Sequence, residues 1–373
     1  MNVEFYKHNI TDREISDLKR VLNSIFLTTG REVERFENDF SKYLGVKHTV
    51  GVTSATAGLH LALLASNIGP GDEVITTPMS FCATSNSVIM TGAEPVFVDV
   101  EPETGNINAD KIERAITKRT KAIIPVHLYG LICDMKKIKK IAKKHKLIII
   151  EDCAHCIEGE RDGVRPGMLG DYGVFSFYAT KSITSGEGGA ITVHKKEDEI
   201  LLKKLRSHGI TREASDRYGK DYVHWDMDVM GWKYNMFNIQ ASLLLNQLKL
   251  IEKRWLIRER ICRKYEKAFL DNPYLDFPKV HKSMKSARHL FTVWVDPKKR
   301  DRILHELNKK GIQVAVNYRA IHLLKYYSEK YGYKAGDFPC AEKIGSSTIT
   351  LPLYPKLTSK EVDYIIKSVN EIV

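Results

Sequence analysis

The stretch "FSFYATKSITSGEGGAITVHK", residues 175–195, places Lys181 between two strand-like runs and directly ahead of a glycine-rich loop. Both flanks are short, apolar and rich in β-branched or aromatic residues, the composition of a buried strand. Toward the amino end similar runs recur from about residue 48, each followed by a helical pattern: "HTVGV" by "ATAGLHLALLA", "DEVITT" by "SFCATSNSVIM", "EPVFVDV" by "ADKIERAIT", and "KAIIPVHLYG" by "DMKKIKKIAKKH", with "LIIIEDCAH" next. This alternation predicts an α/β fold whose mostly parallel sheet is covered by helices on both faces. Ligands bind such sheets beyond the carboxyl ends of the strands, so polar residues at those ends carry the functional reading. Toward the carboxyl end, "NIQASLLLNQLKLIEKRWLIRERICRKYEKAF" begins near Asn238 and is too long for one more crossover helix. It is expected to lead into a smaller α/β unit built from "HLFTVWVD", "RDRILHELNKKGI", "QVAVNYR" and the closing helix "SKEVDYIIKSVNEIV". The expected division is a large ligand-holding domain, 1–245, and a small domain, 246–373.

The chain has 373 residues, 43% of them hydrophobic, enough for one large core and a second, smaller one. Its start, "MNVEFYKHNITDREISDLKR", is charged from the fourth residue and lacks an apolar h-region, so no signal peptide is read there. Apolar runs are cut by charges well short of the ~20 residues a membrane span needs. A cytoplasmic protein without membrane contact is expected. Cysteines at 82, 133, 153, 156, 262 and 340 are too sparse and unpaired for a disulfide framework. Cys153 and Cys156 form a C-x-x-C, but no second pair lies at zinc-site spacing, and no metal is expected. The net charge of +12 permits nucleic-acid binding, yet no binding signature accompanies it. The lysines of "CDMKKIKKIAKKHKL" read instead as the solvated face of a helix whose inner stripe is Met135, Ile138 and Ile141. A basic surface equally steers an anionic small substrate.

Three polar residues fall at strand ends: Asp152 after "LIIIE", Ser176 within "VFSF", and Lys181 just beyond. A carboxylate, a hydroxyl and a lysine at one sheet edge suit pyridoxal 5'-phosphate. Its aldehyde needs a lysine, its ring nitrogen a carboxylate to stay protonated, and its phosphate neutral donors. The plain alternatives are a solvated lysine and an aspartate that caps a turn. Ser54, Ala55 and Thr56 lie between a strand and a helix, where free amides and the helix dipole hold a phosphate, or where Ser54 is simply an N-cap. Phe81 follows another strand and has the flat ring to stack on a cofactor, or is core. His155 lies three residues after Asp152, either beside the cofactor or as a satisfied buried histidine.

With these stretches assembled, the chain resembles the DegT/DnrJ/StrS family of pyridoxal-phosphate-dependent sugar aminotransferases, which have the fold type I architecture. The resemblance runs in order through "FLTTGREVERFENDFSKYLGVKH", "SATAGLHLALL", "IGPGDEVITTPMSF", "GAEPVFVDV", "TKAIIPVHLYG", "IEDCAH", "FSFYATKSITSGEGG", "GWKYNMFNIQAS", "GDFPCAEK" and "LPLYPKLT". It implies that Lys181 binds the cofactor's aldehyde carbon and shuttles the proton, and that Asp152 pairs with the pyridine nitrogen. It further implies that Ser176 and the backbone of Ala55 and Thr56 hold the phosphate, with Phe81 stacked on the ring and His155 beside it. Asn235, in "KYNM", matches an asparagine that the family donates across a subunit interface, so a homodimer with shared active sites is implied. Family dehydratases carry histidine at the lysine position; Lys181 therefore favours amino transfer.

The resemblance also implies an amino donor, L-glutamate, and an acceptor that is a nucleotide-linked keto sugar. "SHGITREASDRY", "GWKYNM", "NYRAIHLLKYY" and Ala179 before Thr180–Lys181 are most similar to the subgroup aminating carbon 4 of UDP- or dTDP-linked 6-deoxyhexoses or pentoses. Arg212, Arg319 and His322 are candidates for the diphosphate and sugar, because an arginine fork matches phosphate oxygens, and their alternative is a structural role. Thr28 and Thr29 either touch the sugar or form a helix-start turn. Amination at carbon 3, and a non-catalytic regulator of the same fold, are the competing functions.

Overall fold

The structure is a computed structural model that describes residues 1–211 and 224–373. A seven-stranded sheet forms its centre, built from β1 (His48–Val52), β2 (Glu73–Thr76), β3 (Glu94–Phe97), β4 (Thr120–Ile123), β5 (Ile148–Asp152), β7 (Tyr172–Ser176) and β8 (Gly189–Val193), in the order β1-β8-β7-β5-β4-β2-β3. β6 (Glu160–Arg161) lies outside it and pairs with β9 (Met284–Lys285). The β7-β5-β4-β2-β3 pairs are parallel, while β8 runs antiparallel to both β1 and β7. The reversal follows from the connection: no helix lies between Ser176 and Gly189, and a parallel crossover needs one. The start of β8 is thereby brought to the edge where the other strands end.

Helices α1 (Asp12–Leu22), α2 (Arg31–Leu44), α3 (Ala55–Ala65), α4 (Ala83–Met90), α5 (Ala109–Ile112), α6 (Met135–His145), α7 (Lys196–Leu205) and α8 (Asn238–Lys249) surround the sheet. α3 is apolar nearly all round and is buried from Ala57 to Leu63, as a helix without a polar face must be. α6 buries Met135, Ile138 and Ala142, with Ile141 only partly covered, one position away from the expected stripe. On the opposite face of the sheet from α3, Phe36 and Phe40 of α2 meet Phe175 and Phe177 edge-on, with centroids 5.1–5.5 Å apart. Burying each ring contributes roughly 1.5–3 kcal/mol and fixes the end of β7 where the lysine loop departs.

The long helical run from Asn238 is two helices, broken at Leu250, after which α9 (Ile251–Phe269) leads into a second core. That core packs α9, α10 (Arg300–Lys309) and α13 (Ser359–Ile372) on the antiparallel pair β10 (Phe291–Trp294) and β11 (Thr348–Leu351). "QVAVNYR" forms no named strand and pairs with β11 at a bridge between Ala315 and Thr350. Two shorter helices, α11 (Lys325–Tyr331) and α12 (Pro339–Ser347), sit between the cores. Val3, from the amino end, is wholly buried in the second core.

Candidate active site

Strand alternation decides which side chains meet. Ile150 packs in the core under α3, and Asp152 follows it on that face while Glu151 turns to the other. Val174 lies in the same core, so Ser176 emerges on Asp152's side, and the register pairs Asp152 with Val174 on the neighbouring strand. Gly189 opens β8 between Ser176 and Val52, and after Val52 the chain turns through Thr53 and Ser54 into α3. A Cβ on residue 189 would lie 2.6 Å from the Ala55 amide nitrogen, so only glycine lets the strand seat against this turn.

Ser54 caps α3, its Oγ accepting the Ala57 N–H at 3.1 Å. Gly58 makes the first intrahelical bond, to the Ser54 carbonyl, which leaves the Ala55 and Thr56 amides ahead of it as the helix's open donors. With the helix dipole behind them, these amides form an anion cradle beside Ser176.

Asp152 is buried, and among the described residues its carboxylate accepts two hydrogen bonds, from Thr84 Oγ1 at 2.8 Å and from the Ala154 N–H at 3.1 Å. Burial pushes its carboxyl above the usual carboxylate range, and these bonds and the charge of Lys181 offset that only in part. Lys181 closes a turn by donating its N–H to the Tyr178 carbonyl. The loop is pinned from α8 by Gln247, whose Nε2 donates to the Thr184 carbonyl at 2.7 Å. Burial lowers the Lys181 amine to a pKa of about 8, with Asp152 opposing the shift.

The Lys181 amine sits 3.4 Å from His289 Nε2, and the His289 ring packs 4.7 Å from that of His155. Burial, reinforced by the charge of Lys181, holds both imidazoles well below their usual range, so both are neutral. His155 Nδ1 accepts the Tyr129 N–H at 3.3 Å, which leaves its proton on Nε2 to donate to Tyr318 Oη at 2.9 Å. Phe81 keeps an exposed ring, 57% accessible, with its centroid 5.8 Å from that of Tyr318.

The other expected residues are placed differently. Asn235 donates to Thr29 Oγ1 at 2.8 Å, and Thr29 donates to the Met236 carbonyl, so neither side chain joins the Asp152–Lys181 cluster within one chain. With Thr28, Leu27, Thr53 and Phe237, Asn235 lines an open concavity beside the end of β1. Arg319 is exposed. His322 is fully buried, its Nε2 3.0 Å from Glu342 and its ring 4.8 Å from that of Phe338, away from the surface where a substrate would arrive. Arg212 lies outside the described residues. Thr84, His289 and Tyr318 are neighbours that the sequence reading missed.

These residues fit pyridoxal phosphate. A buried carboxylate without an ion pair among the described residues is short of a cation, which a protonated pyridine supplies. The open amides of α3 suit the phosphate, and a partly neutral lysine amine suits the aldehyde.

Residues 8–370 match the DegT/DnrJ/EryC1/StrS aminotransferase family. The spore coat polysaccharide biosynthesis protein SpsC of Bacillus subtilis is 40% identical over 370 residues, covering 98% of this chain and 95% of SpsC. The Streptococcus pneumoniae protein Spr1654, provisionally described as a sugar aminotransferase and solved in a PMP form, superposes with a TM-score of 0.94 at 32% identity, covering 100% of this chain and 99% of that one. Its PLP form superposes at 0.93. Helicobacter pylori PseC, an aminotransferase involved in pseudoaminic acid biosynthesis, gives a TM-score of 0.92 at 31% identity, covering 100% and 99% of the two chains.

Proposed function

The chain belongs to the DegT/DnrJ/EryC1/StrS aminotransferase family, and from that premise we propose that it transfers the amino group of L-glutamate to carbon 4 of a nucleotide-linked keto sugar. It is a pyridoxal-phosphate-dependent sugar aminotransferase. The observation that carries the amino-transfer chemistry is a partly neutral Lys181 amine and a buried, incompletely compensated Asp152 carboxylate at one sheet edge, while carbon 4 and the glutamate donor rest on the family resemblance. The bound cofactor supplies an electron sink that acidifies the carbon bearing the amino group. Lys181 would hold the cofactor by its aldehyde, and its amine, when neutral and free, would take the proton from that carbon. His289 Nε2, 3.4 Å away, is the group the freed amine can lean on. Asp152 keeps the ring nitrogen protonated, while Ser176 and the Ala55 and Thr56 amides hold the phosphate. Phe81 would offer its exposed face to the ring, with His155 at its side.

Asn235 serves a partner subunit's site across a two-fold interface, and Thr28 and Thr29 touch the sugar; Asn235 and Thr28 line a concavity apart from Lys181, with Thr29 buried and bonded to Asn235. Arg319 and Arg212 meet the substrate's phosphates. The likeness to SpsC supports a role for the product in polysaccharide biosynthesis. Among the described residues no helix is long and apolar enough to cross a membrane, and a water-borne nucleotide sugar needs no such helix. A turnover assay with glutamate and a panel of UDP- and dTDP-linked 4-keto and 3-keto sugars, with products identified by NMR, tests this reading. Amination at carbon 4 is expected; amination confined to carbon 3 overturns the regiochemistry.

A further inference from the structure

The first ten residues are anchored at both ends and cross the lysine loop between the anchors. At the amino end Val3 pairs with the strand-like segment at Ile312: its N–H donates to the Gly311 carbonyl at 2.8 Å, and Gln313 N–H donates back to Val3 at 3.0 Å. Gly311, at φ +76°, would carry a Cβ only 2.6 Å from the Met1 carbonyl, so this docking is shaped around a glycine. The Phe5 N–H adds a bond to Gln313 Oε1 at 3.1 Å. At the other end Arg254 of α9 donates to the Asn9 carbonyl at 2.8 Å, and Glu14 of α1 accepts from Asn246 of α8 at 2.7 Å. Between these anchors the Tyr6 hydroxyl donates to the Ala179 carbonyl, two residues before Lys181 in the turn that presents its amine. Tyr6, Lys181, Ser182, Arg258 and His289 line one small cavity. From the far side of that cavity Ser182 donates to Glu158 at 3.3 Å, and Glu158 is itself paired with the buried Arg258.

We infer that Tyr6 is a positioning residue for Lys181, carried on an amino-terminal strap that ties the second core to the lysine turn. Tyr6 holds Ala179 on one side and Glu158 holds Ser182 on the other, so Lys181 is suspended between two fixed neighbours. Because the strap's root is in the second core, a displacement of that core relative to the sheet reaches the lysine turn through the Tyr6 hydroxyl as well as through His289 and the Arg258–Glu158 pair.

This inference rests on Lys181 being the residue that takes the cofactor. Tyr6→Phe in the full-length chain keeps the ring and removes the hydroxyl. The rate at which apoprotein captures added pyridoxal phosphate, the pH midpoint of the loaded enzyme's visible absorption, kcat and KM for glutamate, and Tm are compared with wild type. The expected result is an about two- to tenfold fall in capture rate and kcat, with a shifted pH midpoint and little change in KM or Tm. Gly311→Ala, which disturbs the strap's root without touching the site, is expected to move the same quantities in the same direction. An unchanged capture rate and pH midpoint in Tyr6→Phe, or a loss confined to Tm in both variants, overturns the inference. Failure of wild-type apoprotein to capture the cofactor overturns the reading of Lys181 instead.

Discussion

Glu151 and Asp152 are adjacent buried carboxylates at the end of one strand, and their surroundings have opposite effects. Glu151 accepts from His127 Nε2 at 2.8 Å and from the amides of Gly167, Leu169 and Gly170. Burial pushes its carboxyl up, but the His127 bond and these amides outweigh burial and hold it below the ordinary range. Asp152 has a hydroxyl and one amide, and burial prevails. One carboxylate is finished by the fold and staples the 167–170 turn to the sheet. The other is left incomplete, and incompleteness at a cleft is what a cation-bearing ligand needs. The nearby His127, Glu151 and Cys153 grouping has metal-like spacing, yet the Glu151 oxygens are already taken by these donors.

The largest effect is expected at Lys181, the neighbour of the unfinished carboxylate. Lys181→Ala should bind cofactor weakly and lose turnover by a factor of about a thousand or more, since nucleophile and proton carrier go together. Steady-state assays with the sugar panel measure it.

The two carboxamide variants should then behave oppositely. Glu151→Gln turns a side-chain NH2 toward two of the four donors, and loss of a buried charged partner costs roughly 3–5 kcal/mol, read as a lowered Tm. Asp152→Asn faces a hydroxyl that can rotate to accept, so the apoprotein should melt at or above wild type near neutral pH while cofactor affinity falls about a hundredfold. The signs follow from linkage. A carboxyl held low, such as Glu151, contributes stability above the unfolded-state pKa that is lost as pH falls through the folded one. A carboxyl held high, such as Asp152, costs stability increasingly as pH rises from the unfolded-state pKa through the folded one.

Two smaller effects sharpen the picture. Thr84→Val removes the hydroxyl that donates to Asp152, and cofactor affinity, followed by titration of the visible absorption, should fall about tenfold. Cofactor capture by the apoprotein needs the neutral amine, so with Lys181 at about 8 its rate should rise about fivefold between pH 7 and pH 8 and level off above. A rate flat across that interval would place the amine elsewhere.

Strand ends are local features, and for that reason Asp152, Ser176, Lys181 and the turn before α3 were legible in the sequence, as was the alternation that builds the sheet. Thr84, His289 and Tyr6 reach the site from α4, from just before β10 and from the amino terminus, meeting it only through tertiary packing, and no pattern at their own positions announces them. His322 showed the reverse difficulty: its polarity resembled a ligand's, and only the facing Glu342 and Phe338 reveal that it is enclosed. The break at Leu250 carries no glycine or proline, so periodicity ran straight through it.

Adding L-glutamate to the cofactor-loaded enzyme in the absence of sugar and following its visible absorption tests the role of Lys181. Wild type should lose its colour and regain it when a UDP- or dTDP-linked 4-keto sugar is added, while Lys181→Ala should do neither. Colour unmoved by glutamate in the wild type, or cycling undiminished in Lys181→Ala, would contradict the assignment of the amine at residue 181.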